Sequence, residues 1–329
     1  METLGDLVVQ WFAQLHAQVF EGLVLPAIYA LGFSVYADAA FDATELFIIG
    51  ILEVLFMAVF FGALEKWRPL ERWSERSALR ADVIYTLINR LGLAPLLLFF
   101  LLTPVVDGVD GWLRMRDIMP LNLENFLPGL AQHALVSFLL YLIILDFFAY
   151  WLHRWQHRLN SWWALHSLHH SQRQMGFWSD NRNHMLDMLV LDGCFALIAL
   201  IIGVAPAQFA MIVIVTRMIE SLAHINARLS FGVIGERLLV SPRFHRLHHA
   251  MGVGHEGAKR GCNFAVLFPL WDILFGSANF AKDYRPTGIS DQLQGRDYGA
   301  GFWRQQWLGI ARLLVATRSA FSTYQKALP

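Results

Sequence analysis

Apolar residues fall in long unbroken runs along this chain rather than in the alternation of strands. Residues 44–64 (TELFIIGILEVLFMAVFFGAL) are interrupted only by Glu45 and Glu53; at 1.5 Å per residue they cover the roughly 30 Å of a bilayer's hydrocarbon core. The pattern predicts a membrane helix there. It predicts further spans at 130–150, 187–204 and 206–223, the last two joined as a hairpin at Gly203-Val204-Ala205-Pro206. Residues 85–106 are equally apolar but carry Asn89, Arg90, Pro95 and Pro104, and read as one kinked span with a polar end at the interface. The run 23–36 is short and holds Pro26 and Gly32, so whether it spans, re-enters or lies flat stays open. Residues 302–324 set Trp303, Trp307, Ile310, Leu314 and Phe321 at helical spacing with Arg304, Arg312 and Arg318 between them, the pattern of an interfacial amphipathic helix. The fold class expected is an all-α integral membrane bundle.

Loop charge sets the orientation. Residues 66–80 carry five basic residues, whereas 107–128 carry Arg114 and Arg116 against Asp107, Asp110, Asp117 and Glu124. By the excess of Lys and Arg on cytoplasmic loops, the first loop is cytoplasmic, and two crossings later the chain re-emerges on that face at His153. The start METLGDLVVQ lacks the basic region and cleavage site of a signal peptide, so no removal is expected.

Composition narrows the partners. The 329 residues balance 26 Lys+Arg against 26 Asp+Glu, with 56% hydrophobic and 16% charged. Such a chain lacks the basic stripe of a nucleic-acid binder and the low hydrophobicity of a disordered one. Cys194 and Cys262 are too few for a disulfide framework and read as reduced thiols.

Histidine carries the chemistry. Eight of the 13 histidines fall in three clusters: His153 and His157, four apart at the end of an apolar run; His166, His169 and His170; and His245, His248 and His249, repeating the same spacing. Residues three and four apart share a helix face, so each cluster can aim its imidazoles at one place. Four ligands complete a structural zinc site, and two or three plus open positions suit a catalytic ion, so eight imidazoles imply a binuclear site. Imidazole accepts iron, zinc, copper or nickel, and the spacing alone names none of them. His16 and His133 are isolated and read as structural; His255, in the loop GVGHEG, reads as solvated. Candidates to orient the imidazoles by accepting their second N–H are Asp146, Asn226, Asn263 and Asp272.

The runs DFFAYWLHRWQHRLNSWWALHSLHHS, NRNHMLD, HIN at His224 and SPRFHRLHHA followed by NFAVLFPLWDILFGS resemble the fatty acid hydroxylase and sterol desaturase superfamily of membrane di-iron enzymes, most closely its alkylglycerol monooxygenase-like bacterial branch. The resemblance implies a cytoplasmic histidine-rich di-metal site with His153, His157, His166, His169, His170, His245, His248 and His249 as ligands, His224 as a ninth and His184 as a less secure tenth. Family members often carry a histidine where this chain has Glu220, so either Glu220 or His184 could complete the set. The chain then divides into a membrane-associated segment (1–43), a catalytic transmembrane domain (44–280) and a C-terminal cytoplasmic tail (281–329). The implied cofactors are two iron ions, with O2 as co-substrate and an external electron donor (reductase, cytochrome or ferredoxin). The implied substrate is a lipid, either an acyl chain, ether lipid or sterol, in a bacterial plasma membrane. A binuclear zinc hydrolase of lipid head groups and a metal transporter or sensor are the alternatives; transport would place ionisable residues along a path within the spans.

Overall fold

The computed structural model describes residues 3–73, 76–127, 129–257 and 260–327. Among them there is no strand; two isolated bridges, Pro69 with Ala227 and Ala250 with Thr287, pin loops together. The protein is an all-α membrane protein. Its helices are α1 (Leu4–Val19), α2 (Ser34–Trp67), α3 (Arg76–Arg90), α4 (Leu93–Arg114), α5 (Ala134–Arg158), α6 (Asn160–His170), α7 (Met185–Ile202), α8 (Pro206–Ala223), α9 (Pro242–His248), α10 (Leu270–Leu274) and α11 (Phe302–Ala327), with short turns between.

Among the described residues α2, α5, α7 and α8 are long and apolar enough to cross a bilayer. Their burial is inverted relative to a soluble bundle. Leu52, Leu55, Phe56, Val59 and Phe60 of α2, and Leu135, Val136, Leu139 and Ile143 of α5, are exposed on the outer surface, where only hydrocarbon would satisfy them. The polar groups turn inward instead. Arg90 of α3 donates to Glu53 of α2 at 3.0 Å, and to Ser221 Oγ of α8 at 2.8 Å.

The apolar run 85–106 is not one kinked span. It breaks after Arg90, which those inward partners hold, and resumes beyond Gly92, whose φ of 82° is readily reached only by glycine, so α4 starts a new direction. Pro104 sits inside α4 without ending it. A second glycine is demanded by packing: a Cβ on Gly50 would stand 1.7 Å from the Arg90 carbonyl oxygen, so α2 and α3 meet there backbone to backbone.

Helix α5 runs eight residues beyond the expected end at 150, so His153 and His157 lie on the continuation of the apolar helix itself. The C-terminal helix is held to the bundle by one face. It packs along α6, with Arg312 Nε donating to the Ala164 carbonyl at 3.1 Å and Gln306 Nε2 donating to Tyr85 Oη at 2.9 Å. Its other face leaves Trp303, Trp307, Leu314 and Val315 exposed. Cys194 and Cys262 are free thiols.

Candidate metal centre

Three helical segments and one helix end converge beneath the membrane-spanning helices. Helix α5 brings His153 and His157 on one face; α6, after the turn at Leu159, brings His166, His169 and His170; α8 ends in His224; and α9, opened by Ser241 and Pro242, brings His245, His248 and His249. All nine are buried except His153, which is partly so.

They sort into two sets. The donor atoms of His153, His157, His166 and His170 lie within 4.8 Å of one another, as do those of His169, His224, His245 and His249; His170, His248 and His249 form a third such group that joins the two. His170 and His249 stack at the junction, rings 4.3 Å apart and 14° from parallel.

The donor sets were tested against bound ions on three observations. First, the Nε2 atoms of His157, His166, His170 and His248 are buried with no hydrogen-bond partner, and an unsatisfied buried polar atom is costly unless something coordinates it. Second, Nε2 of His224 stands 3.3 Å from His169 Nε2 and 3.2 Å from His245 Nε2, which stands 3.2 Å from His249 Nε2. Nitrogens about 2.1 Å from a common ion are separated by roughly 3.0–3.4 Å, from right-angled to tetrahedral geometry. Third, burial, joined by repulsion between neighbouring imidazoles, holds His169, His170, His245, His248 and His249 well below the usual value of 6.5. The rings are therefore neutral, the form that ligates. The residues fit two ions.

Second nitrogens are anchored, and mostly by groups without a sequence signature. His153 Nδ1 donates to the Phe264 carbonyl, His248 Nδ1 to the Cys262 carbonyl and His224 Nδ1 to the Glu220 carbonyl, each at 2.8 Å. His166 Nδ1 donates to Asp187 at 3.0 Å, and Asp187 also accepts from Gln156 at 2.8 Å and the Trp162 indole at 2.7 Å. Asp180 lies 3.4 Å from His224 Nδ1 and is itself held by Ser221 at 2.7 Å and Arg90 at 3.4 Å. Fixing one nitrogen fixes the tautomer and turns the other toward the metal.

None of Asp146, Asn226, Asn263 and Asp272 touches a cluster imidazole. Asp146 accepts from the amides of Leu267 and Phe268 and the Trp271 indole; Asp272 accepts from the amides of Phe264 and Ala265; Asn263, at φ 58°, donates to the carbonyls of Phe244 and Asn279. They shape the segment 262–268, and it is this segment's carbonyls that reach His153 and His248. Asn226 bonds instead to Glu71, through its side chain, at 3.0 and 2.8 Å.

His184 lies outside both sets. Its Nδ1 caps α7 by accepting from the Leu186 amide at 3.1 Å and its Nε2 donates to the Gln306 carbonyl at 2.8 Å, leaving no nitrogen for a metal. The Glu220 carboxylate is in no donor group; the residue serves His224 through its carbonyl. His255 is not simply solvated: it stacks on Trp163 at 3.3 Å, 10° from parallel, with its ring centroid 5.7 Å from that of His157. His16, bonded to the Phe41 carbonyl at 3.0 Å, and His133, at the start of α5, lie apart from the centre. Asp187 was within reach of sequence reasoning, since it ends the NRNHMLD run; Asp180, Arg90 and the carbonyls were not.

Residues 138–277 match the fatty acid hydroxylase family. Similar proteins include ornithine lipid hydroxylase OlsE of Rhizobium tropici, 28% identical over 155 residues (47% of this chain, 45% of that protein), and the alkylglycerol monooxygenase of Homo sapiens, 29% identical over 135 residues (40% and 28%). The alkylglycerol monooxygenase of Danio rerio is 28% identical over 128 residues (39% and 27%). The matched stretch spans less than half the length of each of these relatives. No solved structure matches the chain.

Proposed function

We propose that this chain, whose residues 138–277 match the fatty acid hydroxylase family, is an O2-dependent di-iron oxygenase that hydroxylates a lipid reached through the bilayer. The observation that carries the reading is the pair of four-imidazole sets joined through the His170–His248–His249 group. Two iron ions held there would supply the O2 activation that an unactivated C–H bond requires and that side-chain acid–base chemistry cannot provide. The balance is R–H + O2 + 2 e⁻ + 2 H⁺ → R–OH + H2O, with desaturation as the variant in which a second hydrogen is lost. The electrons would come from an external donor such as a reductase, cytochrome or ferredoxin.

The chain's own residues do three things in this scheme. Phe264, Cys262 and Glu220 carbonyls and the Asp187 carboxylate aim the ligand nitrogens. The apolar core of Tyr150, Phe244, Phe264 and Ala265 keeps water from the centre. The spanning helices above admit an acyl chain, ether lipid or sterol from the side; relatives named for ornithine lipid and alkylglycerol support a lipid substrate. The basic loop at 66–80 supports a cytoplasmic centre in a bacterial plasma membrane.

The test compares lipids of cells expressing the intact protein with those of cells expressing His169→Ala, with and without oxygen, alongside elemental analysis of the purified protein. A lipid that gains one oxygen only with the intact protein and only in air, together with two iron ions per chain, is the expected result. Head-group loss that persists without oxygen would replace this reading with the zinc hydrolase.

A further inference from the structure

A cavity of about 460 Å³ opens where α2, a helix long and apolar enough to cross a bilayer, ends. It is separate from the imidazole sets but tied to them. Its wall is the loop after α2, zipped onto the segment that follows His224: Leu70 N donates to the Asn226 carbonyl at 3.3 Å, Arg228 N to the Arg68 carbonyl at 3.0 Å, and Glu71 N to Asn226 Oδ1 at 3.0 Å. Asn226, which lines the cavity, is two residues from His224, at most about 7 Å between Cα atoms.

The lining is mixed in an informative way. Ala58, Phe177, Trp178 and Leu79 make it mostly apolar. Two carboxylates and two cations complete it, but the carboxylates are already engaged. Glu65 accepts from the amides of Phe177 at 3.0 Å and Asn226 at 2.8 Å, and Glu71 pairs with Arg246 at 2.9 Å, beside the ligand His245. Lys66 and Arg72 line the same cavity with no hydrogen bond or ion pair to any described residue. Among the described residues, the uncompensated charge at the rim is therefore positive, above aromatic and aliphatic walls.

We infer that this cavity binds the anionic head group of a membrane lipid, a phosphate or carboxylate held by Lys66 and Arg72, with the adjoining part of its chain against Phe177 and Trp178. The inference rests on the lipid-oxygenase reading, since it makes the cavity the head-group subsite of that centre. A small soluble anion would have no use for the apolar walls, and an uncharged lipid no use for two unpaired cations.

The experiment measures equilibrium binding of radiolabelled dodecyl phosphate and of dodecanol to the purified full-length protein in an uncharged detergent, both iron-loaded and metal-free. The intact protein is expected to prefer dodecyl phosphate. Lys66→Gln with Arg72→Gln should weaken that probe about tenfold or more while leaving dodecanol unchanged, at about 1 kcal/mol per cation. Lys66→Arg with Arg72→Lys, which keeps both charges, should restore most of the binding. Equal affinity for the two probes, an unaffected double variant, or inorganic phosphate binding as tightly as dodecyl phosphate would each overturn the inference. Because binding is read without turnover, a protein that discriminates the probes yet oxygenates nothing would sink the oxygenase reading and leave the subsite standing.

Discussion

The two imidazole sets are built on different principles. The set of His153, His157, His166 and His170 comes from two consecutive helices joined at Leu159, so its geometry is largely local. The set of His169, His224, His245 and His249 draws on three segments spread over eighty residues. Its position depends on a buried charge chain: Glu53 of α2 holds Arg90 of α3, Arg90 holds Asp180 and Ser221, and Asp180 lies beside His224. The difference teaches that one candidate site is held by the adjacent chain and the other by helices that must first assemble in the membrane.

The largest effect expected is from Arg90→Met. It leaves Glu53 and Asp180 buried without their cation, which costs about 3–5 kcal/mol. Thermal unfolding in detergent should register the loss, and elemental analysis should show metal occupancy falling from about two toward one as the second set fails first. Equal loss from both sets would erase the distinction drawn above.

Asp187→Asn attacks the other set. His166 loses its carboxylate anchor, and outer-shell changes of this kind cost about 10–100-fold in metal affinity. A chelator titration should release one ion early and leave the other near its original affinity, the mirror image of Arg90→Met.

Acid should release both sets. The folded-state values of His169, His170, His245, His248 and His249 are depressed, so below the unfolded value near 6.5 the unfolded chain binds protons that the folded chain does not. Stability therefore falls as pH drops through 6.5, by about 1.4 kcal/mol per pH unit for each imidazole kept neutral, and is unaffected by these groups well above it. Unfolding midpoints of the metal-free protein from pH 8 to pH 5 would show the slope, and a flat profile would mean the rings are not held neutral. The smallest effect belongs to Arg114→Ala, which removes an exposed pair with Asp110 on α4, far from either set. About 0.3 kcal/mol and unchanged metal content are expected.

Much of the local set was legible beforehand, because i, i+3 and i, i+4 spacing is a property of the helix itself. His153 with His157, and His166 with His170, needed only that α5 and α6 form. His184 shows the limit of such reading: the NRNH run places it near the centre in sequence, but both nitrogens are consumed capping α7 and meeting Gln306 on α11. Asp146 and Asp272, read from the sequence as acceptors of the imidazoles' second N–H, instead hold the backbone that holds the imidazoles.

Apolar run length and histidine spacing determined on their own that this is an all-α membrane protein with imidazoles aimed in groups, since helix period and bilayer thickness act within one segment. Which imidazoles converge into one donor set, that carbonyls of Phe264, Cys262 and Glu220 orient three of them, that 85–106 breaks at Gly92, and that Lys66 and Arg72 line an apolar cavity with no partner among the described residues were decided only by tertiary structure. A carbonyl acceptor carries no mark in sequence, and the pairing of a charge depends on which distant helix arrives beside it.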